Sequence, residues 1–229
     1  MADNAPATHN RRQRRRRRWS VWRALRWFGL RVLLLMVALV GLYGLLNPPT
    51  TWTIAREATY PRQWADLDQI APVMPRSVVA AEDANFCAHW GFDMAEIRKV
   101  IASGSNRGAS TLTQQTAKNV YLWQNRSWPR KLLETAFTPM IEALWTKRRI
   151  LEVYLNVAEF GPGVFGVHAA AEYHFSTTPD RLTAAQAARL AAILPAPKQR
   201  GTSQGSARSR SIADGAATIA RDGRAGCFQ

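Results

Sequence analysis

Cysteine and histidine are scarce. The 229-residue chain has two of the first and four of the second. Cys87 and Cys227 lie too far apart for a CxxC redox or zinc motif. Whether they pair depends on the compartment and on the Cβ distance, which the sequence leaves open. His9, His168 and His174 have no metal-ligand spacing with one another or with cysteine, so structural or solvent-facing roles are expected. No GxSxG, Walker loop, HExxH or dinucleotide fingerprint occurs, which removes the chemistries those motifs serve. Period-two alternation is nearly absent and no repeat is visible, so the body reads as mainly α. Acidic residues are also few, 16 against 31 Lys and Arg, for a net charge of +15. The excess is uneven. Residues 1–31 hold ten Arg against one acid, Asp3, a balance of +9, and the remaining chain carries +6.

What is present begins with an apolar run. Trp27 to Leu46 is interrupted only by Arg31. At about 1.5 Å per residue it spans roughly 30 Å, the thickness of a bilayer core. Trp19, Trp22 and Trp27 suit an interfacial belt, and Arg11, Arg12 and Arg14 to Arg18 place the N-terminus in the cytoplasm. A cleaved signal peptide would need small residues before its cleavage site, and Leu45-Leu46-Asn47-Pro48-Pro49 offers none. A buried soluble helix fits poorly with seven Arg just upstream. The arginine run could suit nucleic acid, but it has no interleaved aromatics and abuts the apolar run. Anionic lipid is the simpler partner, and no nucleic acid is expected. The expectation is a single-pass anchor in the cell inner membrane with the body in the periplasm.

Along the chain this predicts a basic arm at 1–26, a membrane helix at 27–46, a linker and membrane-proximal segment at 47–75, a catalytic domain at 76–198 and a tail at 199–229. Arg76 to Glu82 reads as a helix that delivers Glu82 near its C-terminal end. Met94 to Ala102 reads as another, followed by a loop from Ser103 to Gly108. Ser110 or Thr111 can cap the next helix, on which Thr111, Gln114, Gln115 and Lys118 share a face. Arg130 to Trp145 is a long helix with Pro139 as a bend. Ile150, Val153, Tyr154 and Val157 repeat the helical spacing, with Phe160-Gly161-Pro162-Gly163 as its end. Leu182 to Leu194 is an Ala-rich helix.

Two carboxylates could carry chemistry. Glu82 and Asp83 are, as a bare pair, most simply solvated. Phe86 and His89, at +4 and +7 from Glu82, could supply an aromatic wall whose apolar contact raises its pKa toward general-base use. Glu134 follows Arg130 by four residues and Lys131 by three. The ordinary reading is a surface ion pair. The functional one is a cationic cluster, with Lys118, for holding and releasing a pyrophosphate.

The motifs Glu82-Asp-x-x-Phe86-x-x-His89-x-Gly91, Gly108-Ala-Ser110-Thr111-Leu-Thr113-Gln114-Gln115-x-x-Lys118-Asn119, Arg130-Lys131-x-x-Glu134, Lys147-Arg148-Arg149-Ile150-Leu151-Glu152-x-Tyr154-Leu155-Asn156 and Ala188 to Pro195 occur in that order. Together they resemble the five motifs of the glycosyltransferase family 51 peptidoglycan glycosyltransferases. The resemblance implies a lysozyme-like helical glycosyltransferase domain with a small membrane-associated jaw lobe. It implies that Glu82 is the general base and that Glu134 sits with Lys118, Arg130 and Lys131 at the donor pyrophosphate. Asp83, Ser110, Thr111, Gln114, Gln115 and Asn119 would shape the site and bind substrate, and Glu152 and Asn156 would be as much structural as functional. No cofactor is required, with Mg2+ or Mn2+ near Glu134 left open. The implied partners are lipid II, the growing glycan chain, the membrane, other cell-wall synthases and division proteins. The chain is too short to hold a transpeptidase domain as well, so the monofunctional form is expected. Residues 201–229, rich in Gly, Ser, Ala and Arg with few large apolar residues, depart from the family pattern, and Gly201 to Arg210 reads as flexible or as an altered reading frame. A membrane-anchored lytic enzyme of lysozyme type is the alternative, and a non-enzymatic scaffold is a third.

Overall fold

A computed structural model describes residues 8–104, 110–125, 127–201 and 205–229. The expected loop beyond Gly104, including Gly108 and Ala109, lies outside them. Helix α1 runs from Thr8 to Leu45, and its stretch Trp22–Leu45 has a mean hydropathy of 2.1 over its best window. This stretch contains most of the apolar run that begins at Trp27, and Arg23, Arg26 and Arg31 are helical within it. At about 1.5 Å per residue it reaches roughly 36 Å, enough to cross a bilayer.

The end of α1 is clasped by the body. Its last carbonyls have no intrahelical donors. Arg149 supplies them, donating to the carbonyls of Tyr43 and Leu46 at 3.0 and 2.8 Å and to Asn47 Oδ1 at 2.8 Å. Trp145 Nε1 donates to the Val40 carbonyl at 2.8 Å, and Gly44 leaves room for that ring: a Cβ there would stand 2.9 Å from Trp145 Cδ1. Tyr43 stacks on Tyr121, which stacks on Phe137 with 4.6 Å between centroids.

The body is helical. Its elements are α2 (Trp52–Glu57), α3 (Val73–Glu82), α4 (Met94–Ser103), α5 (Leu112–Tyr121), α6 (Trp128–Leu144), α7 (Lys147–Val157), α8 (Val167–Phe175), α9 (Ala184–Ile193) and α10 (Ala207–Arg221). Side-chain caps start most of them: Thr51, Asp93, Thr111, Ser127, Thr146, Thr183 and Ser206 each accept from a backbone N–H of the first turn. Helix α5 packs between α6 and α7, and α3, α9 and α10 pack on one another. Leu112, Ile141, Ile150, Leu151, Leu155 and Leu190 are fully buried between them.

Three readings of the sequence need correction. Residues 47–75 are not a loose linker, because Ile54, Ala65, Leu67 and Ile70 join the common core. The Gly-Pro-Gly stretch does more than end α7. Glu159–Gly161 and Val164–Phe165 pair as an antiparallel hairpin (β1 and β2), made possible by positive φ at Gly163 (+73°) and Gly166 (+86°). Residues 207–221 are neither flexible nor out of register with the fold. Ile212, Ala216 and Ile219 are buried, and Gly215 lets α10 approach α3 so closely that a Cβ would lie 3.2 Å from that of Ala80. A composition rich in Ala, Gly and Ser here marks close helix contact. Cys87 and Cys227 form a disulfide with a Cα–Cα distance of 5.7 Å.

Candidate active site

Glu82 is the last residue of α3. The chain leaves the helix there, so the +4 and +7 positions no longer share its face. Phe86 is buried against His89 and Phe228, and the expected aromatic wall is not what surrounds Glu82. Its neighbours come from other helices. Gln115 Nε2, on α5, donates to Glu82 Oε2 at 2.9 Å, and Gln115 Oε1 accepts from the Tyr154 hydroxyl, on α7, at 3.1 Å. Tyr154 is buried, and its phenol pKa is pushed well above the usual value, chiefly by burial and then by the Glu82 charge. It is therefore a fixed donor, and it sets which end of the Gln115 amide faces the carboxylate. Glu82 Oε1 has no hydrogen-bond partner, and Arg208 Nη2 lies 3.7 Å from it. Burial raises the Glu82 pKa; the Gln115 bond and the charges of Arg208, Lys118 and Arg200 pull it back. A glutamate with one oxygen oriented and one without a hydrogen bond, and with a raised pKa, suits a general base.

Asp83 has a different role. Its Oδ1 meets His89 Nε2 at 2.8 Å and its Oδ2 accepts from the Leu112 backbone N–H at 3.0 Å. Both oxygens are committed to joining the turn after Glu82 to the start of α5. Thr111 and Gln114 form the capping box of α5, and the Thr111 hydroxyl donates to the Gly91 carbonyl at 2.7 Å. These three residues fix the frame, and only Gln115 and Lys118 of that helix turn toward the carboxylates. Asn119 accepts from Gln124 at 3.2 Å. Gly91, at φ +81°, has no room for a side chain: a Cβ would stand 2.6 Å from Thr138 Cγ2 and 3.0 Å from Glu142 Cγ. Gly91→Ala is expected to cost roughly 2–4 kcal/mol from strain and overpacking together, read as a lowered urea midpoint. An unchanged midpoint would show that the turn can yield.

The second carboxylate sits on α6. Glu134 is buried, with Oε2 held by Arg130 at 2.7 Å and Oε1 by Lys131 at 2.5 Å. Lys131 also reaches Ser110 Oγ at 3.4 Å. The i,i+3 and i,i+4 spacing gives the predicted cluster, but it is sheltered rather than on the surface. Lys118, on α5, lines a cavity with Gln115 and Tyr154. Burial lowers its pKa; the charges of Glu134 and Glu82 raise it, and those of Arg130 and Lys131 lower it. Among the described residues no carboxylate comes within 4 Å of its ammonium. A divalent cation fits this set poorly, because both Glu134 oxygens are occupied by Arg130 and Lys131.

The expected residues Gln115 and Lys118 line one cavity of about 200 Å3 with Tyr154, Glu159, Phe165 and Leu194, of which Glu159 was not singled out from the sequence. Glu159, in β1, has a raised pKa, mainly from burial, and Lys198 at 3.8 Å offsets it. Its position beside an aromatic-Gly-Pro-Gly turn was the available signal. Lys147 was quoted only within a motif. It pairs with Glu142 at 2.8 Å, donates to the His89 carbonyl at 2.8 Å and lies 4.5 Å from the centre of the Phe86 ring. Arg208 comes from the segment expected to be flexible.

The helical body is clasped to a long apolar helix and carries two sheltered carboxylates, Glu82 held by Gln115 and Glu134 held by Arg130 and Lys131. The model of the transglycosylase family matches residues 50–220, and the chain belongs to that family. It is 54% identical over 215 residues to a biosynthetic peptidoglycan transglycosylase of Jannaschia sp. (strain CCS1), covering 90% of this chain and 89% of that one. Proteins of the same description from Pseudomonas aeruginosa and Caulobacter vibrioides are 46% identical over 192 residues and 43% identical over 223 residues. The first alignment covers 78% of this chain and 83% of the relative, the second 90% and 97%.

Proposed function

We propose that this transglycosylase builds peptidoglycan by polymerising lipid II into β-1,4-linked glycan strands. The observation that carries the reading is a pair of sheltered carboxylates held differently: Glu82 by Gln115 alone at 2.9 Å, and Glu134 by Arg130 at 2.7 Å and Lys131 at 2.5 Å. A base and a cationic cluster arranged in this way can act at two ends of one displacement. The 4-hydroxyl of the incoming GlcNAc gives its proton to Glu82 Oε1. Its oxygen attacks C1 of the MurNAc on the growing chain from the face opposite the leaving group. The C1–O bond breaks with inversion, and undecaprenyl pyrophosphate departs with the electron pair. Lys118, Arg130 and Lys131 offset the charge that develops on it. Glu134 orients Arg130 and Lys131, and Gln115 with Tyr154 orients Glu82. None of these steps requires a metal.

The anchor places this chemistry beside the bilayer that carries the lipid. Trp90, Met94, Ile101, Trp128 and Leu132 are exposed, and among the described residues α4 buries none of its own. Such a surface suits the headgroup region. We place the N-terminus in the cytoplasm and the body in the periplasm of the inner membrane, from the arginine-rich arm. The Cys87–Cys227 disulfide supports an oxidising compartment.

The test offers purified full-length protein either lipid II or finished glycan strands. Polymer from the first and no fragments from the second are expected. Fragments from finished strands, with lipid II left intact, would overturn the reading in favour of a lytic enzyme.

A further inference from the structure

We propose that Arg208 is a positioning residue for Glu82 and that the Cys87–Cys227 disulfide holds it there, which makes the C-terminal segment part of the working site. The inference rests on Glu82 being the base.

The two oxygens of Glu82 are treated differently. Oε2 accepts from Gln115 at 2.9 Å, whereas Oε1 is buried without a hydrogen bond. A buried carboxylate oxygen left bare is costly unless a charge compensates it. Arg208 supplies that charge from 3.7 Å. A direct hydrogen bond at 2.8 Å would occupy the lone pairs. At 3.7 Å the guanidinium favours the ionised form and leaves Oε1 without a hydrogen bond. The other groups facing Glu82 are Lys118 and Gln115 from α5, Tyr154 from α7 and Arg200 after α9. Arg208, Lys118 and Arg200 all favour the carboxylate, but Arg208 alone of them forms an ion pair with Glu82 within 4 Å among the described residues.

Arg208 is the second residue of α10, whose start is fixed by the Ser206–Ser209 capping box. Beyond α10 the chain returns to the turn that follows Glu82. Arg224 Nη1 donates to the Ala84 carbonyl at 3.3 Å, and Phe228 is buried with its ring centre 6.3 Å from that of Phe86. Arg148 Nη1 donates to the Phe228 carbonyl at 3.3 Å. The disulfide then joins Cys87 to Cys227 across a sequence separation of 140. The turn just after the base therefore anchors the end of the segment that brings Arg208 to that base. Without the bond, the last residues and α10 are held only by non-covalent contacts, and Arg208 gains freedom to leave for water, where its side chain is already 44% exposed.

The test compares full-length wild type, Arg208→Met, Arg208→Lys, and the Cys87→Ala/Cys227→Ala double variant with and without Arg208→Met. The kcat and KM for lipid II are measured across pH. Arg208 favours the carboxylate, so its loss is expected to move the acidic limb of kcat to higher pH, with KM changed by no more than about twofold. Lys at 208 should return the limb most of the way. Loss of the disulfide should move it in the same direction, and Arg208→Met should add nothing further in that background. An unmoved limb in Arg208→Met would overturn the proposal, as would additive effects of the two changes. If the cysteine variant does not fold, the Met and Lys variants at 208 decide. Glu82→Gln separates the two readings. Activity in that variant removes the base and this proposal with it. An inactive Glu82→Gln beside a wild-type profile for Arg208→Met removes only the role of Arg208.

Discussion

Glu82→Gln lowers kcat for lipid II by about 10²–10⁴-fold, the span ordinarily lost with a positioned general base. The substitution keeps an oxygen that can accept from Gln115, so the site retains its shape and loses the proton acceptor. Stability should move the other way. Burial raises the Glu82 pKa above its ordinary value, against the weaker opposing influence of Gln115 and three cations. A carboxyl whose folded pKa is raised binds its proton more tightly folded than unfolded. It favours folding below the unfolded pKa, and that advantage is lost as pH rises through the folded pKa. At neutral pH the ionised Glu82 is a net cost, and the Gln variant melts at the same temperature or higher. Activity near wild type, or a clear drop in melting temperature together with lost activity, would contradict the assignment. The same shift places the acidic limb of the wild-type rate above the ordinary glutamate range.

Lys118→Met gives the second large loss, about 10²–10³-fold in kcat, comparable to removing one preorganised donor from a developing anion. Two further effects distinguish it from a folding defect. Lys118 is one of the cations that lower the Glu82 pKa, so the acidic limb moves to higher pH. Burial also lowers the Lys118 pKa, so the buried ammonium carries a desolvation cost that Met does not. The melting temperature at pH 7 is then expected to hold or rise. A variant that keeps wild-type kcat would mean that Arg130 and Lys131 alone hold the leaving group. Arg130 and Lys131 are already tied to Glu134, whereas among the described residues no carboxylate holds Lys118 within 4 Å, so the larger loss is expected at 118.

Local readings survived where the physics is local. Glu82 does end a helix, Thr111 does cap α5, and the spacing of Arg130, Lys131 and Glu134 does bring their charges together. These follow from periodicity, capping and i,i+4 geometry, all of which act within one element. Roles set by other elements were not legible. Asp83 looked like a partner for substrate, but its oxygens are consumed by His89 and the start of α5, a contact made across 29 residues of chain. The orientation of Glu82 depends on Tyr154 through Gln115, which requires α5 and α7 to be packed side by side. Helix α10 was missed because small residues read as flexible in composition but permit close approach in a packed helix. The disulfide stayed open for the same nonlocal reason: two cysteines 140 residues apart do not settle their pairing until the chain end is seen to dock on the turn after Glu82.

The central claim is that Glu82 takes the proton from an acceptor sugar while a lipid pyrophosphate leaves from the cationic side. Product analysis of lipid II incubated with wild type and with Glu82→Gln, side by side, tests it most directly. The account predicts glycan strands from wild type with one undecaprenyl pyrophosphate released per linkage formed, and neither product from the variant. Strands made by Glu82→Gln at the wild-type rate, or lipid II left unchanged by wild type, would contradict it.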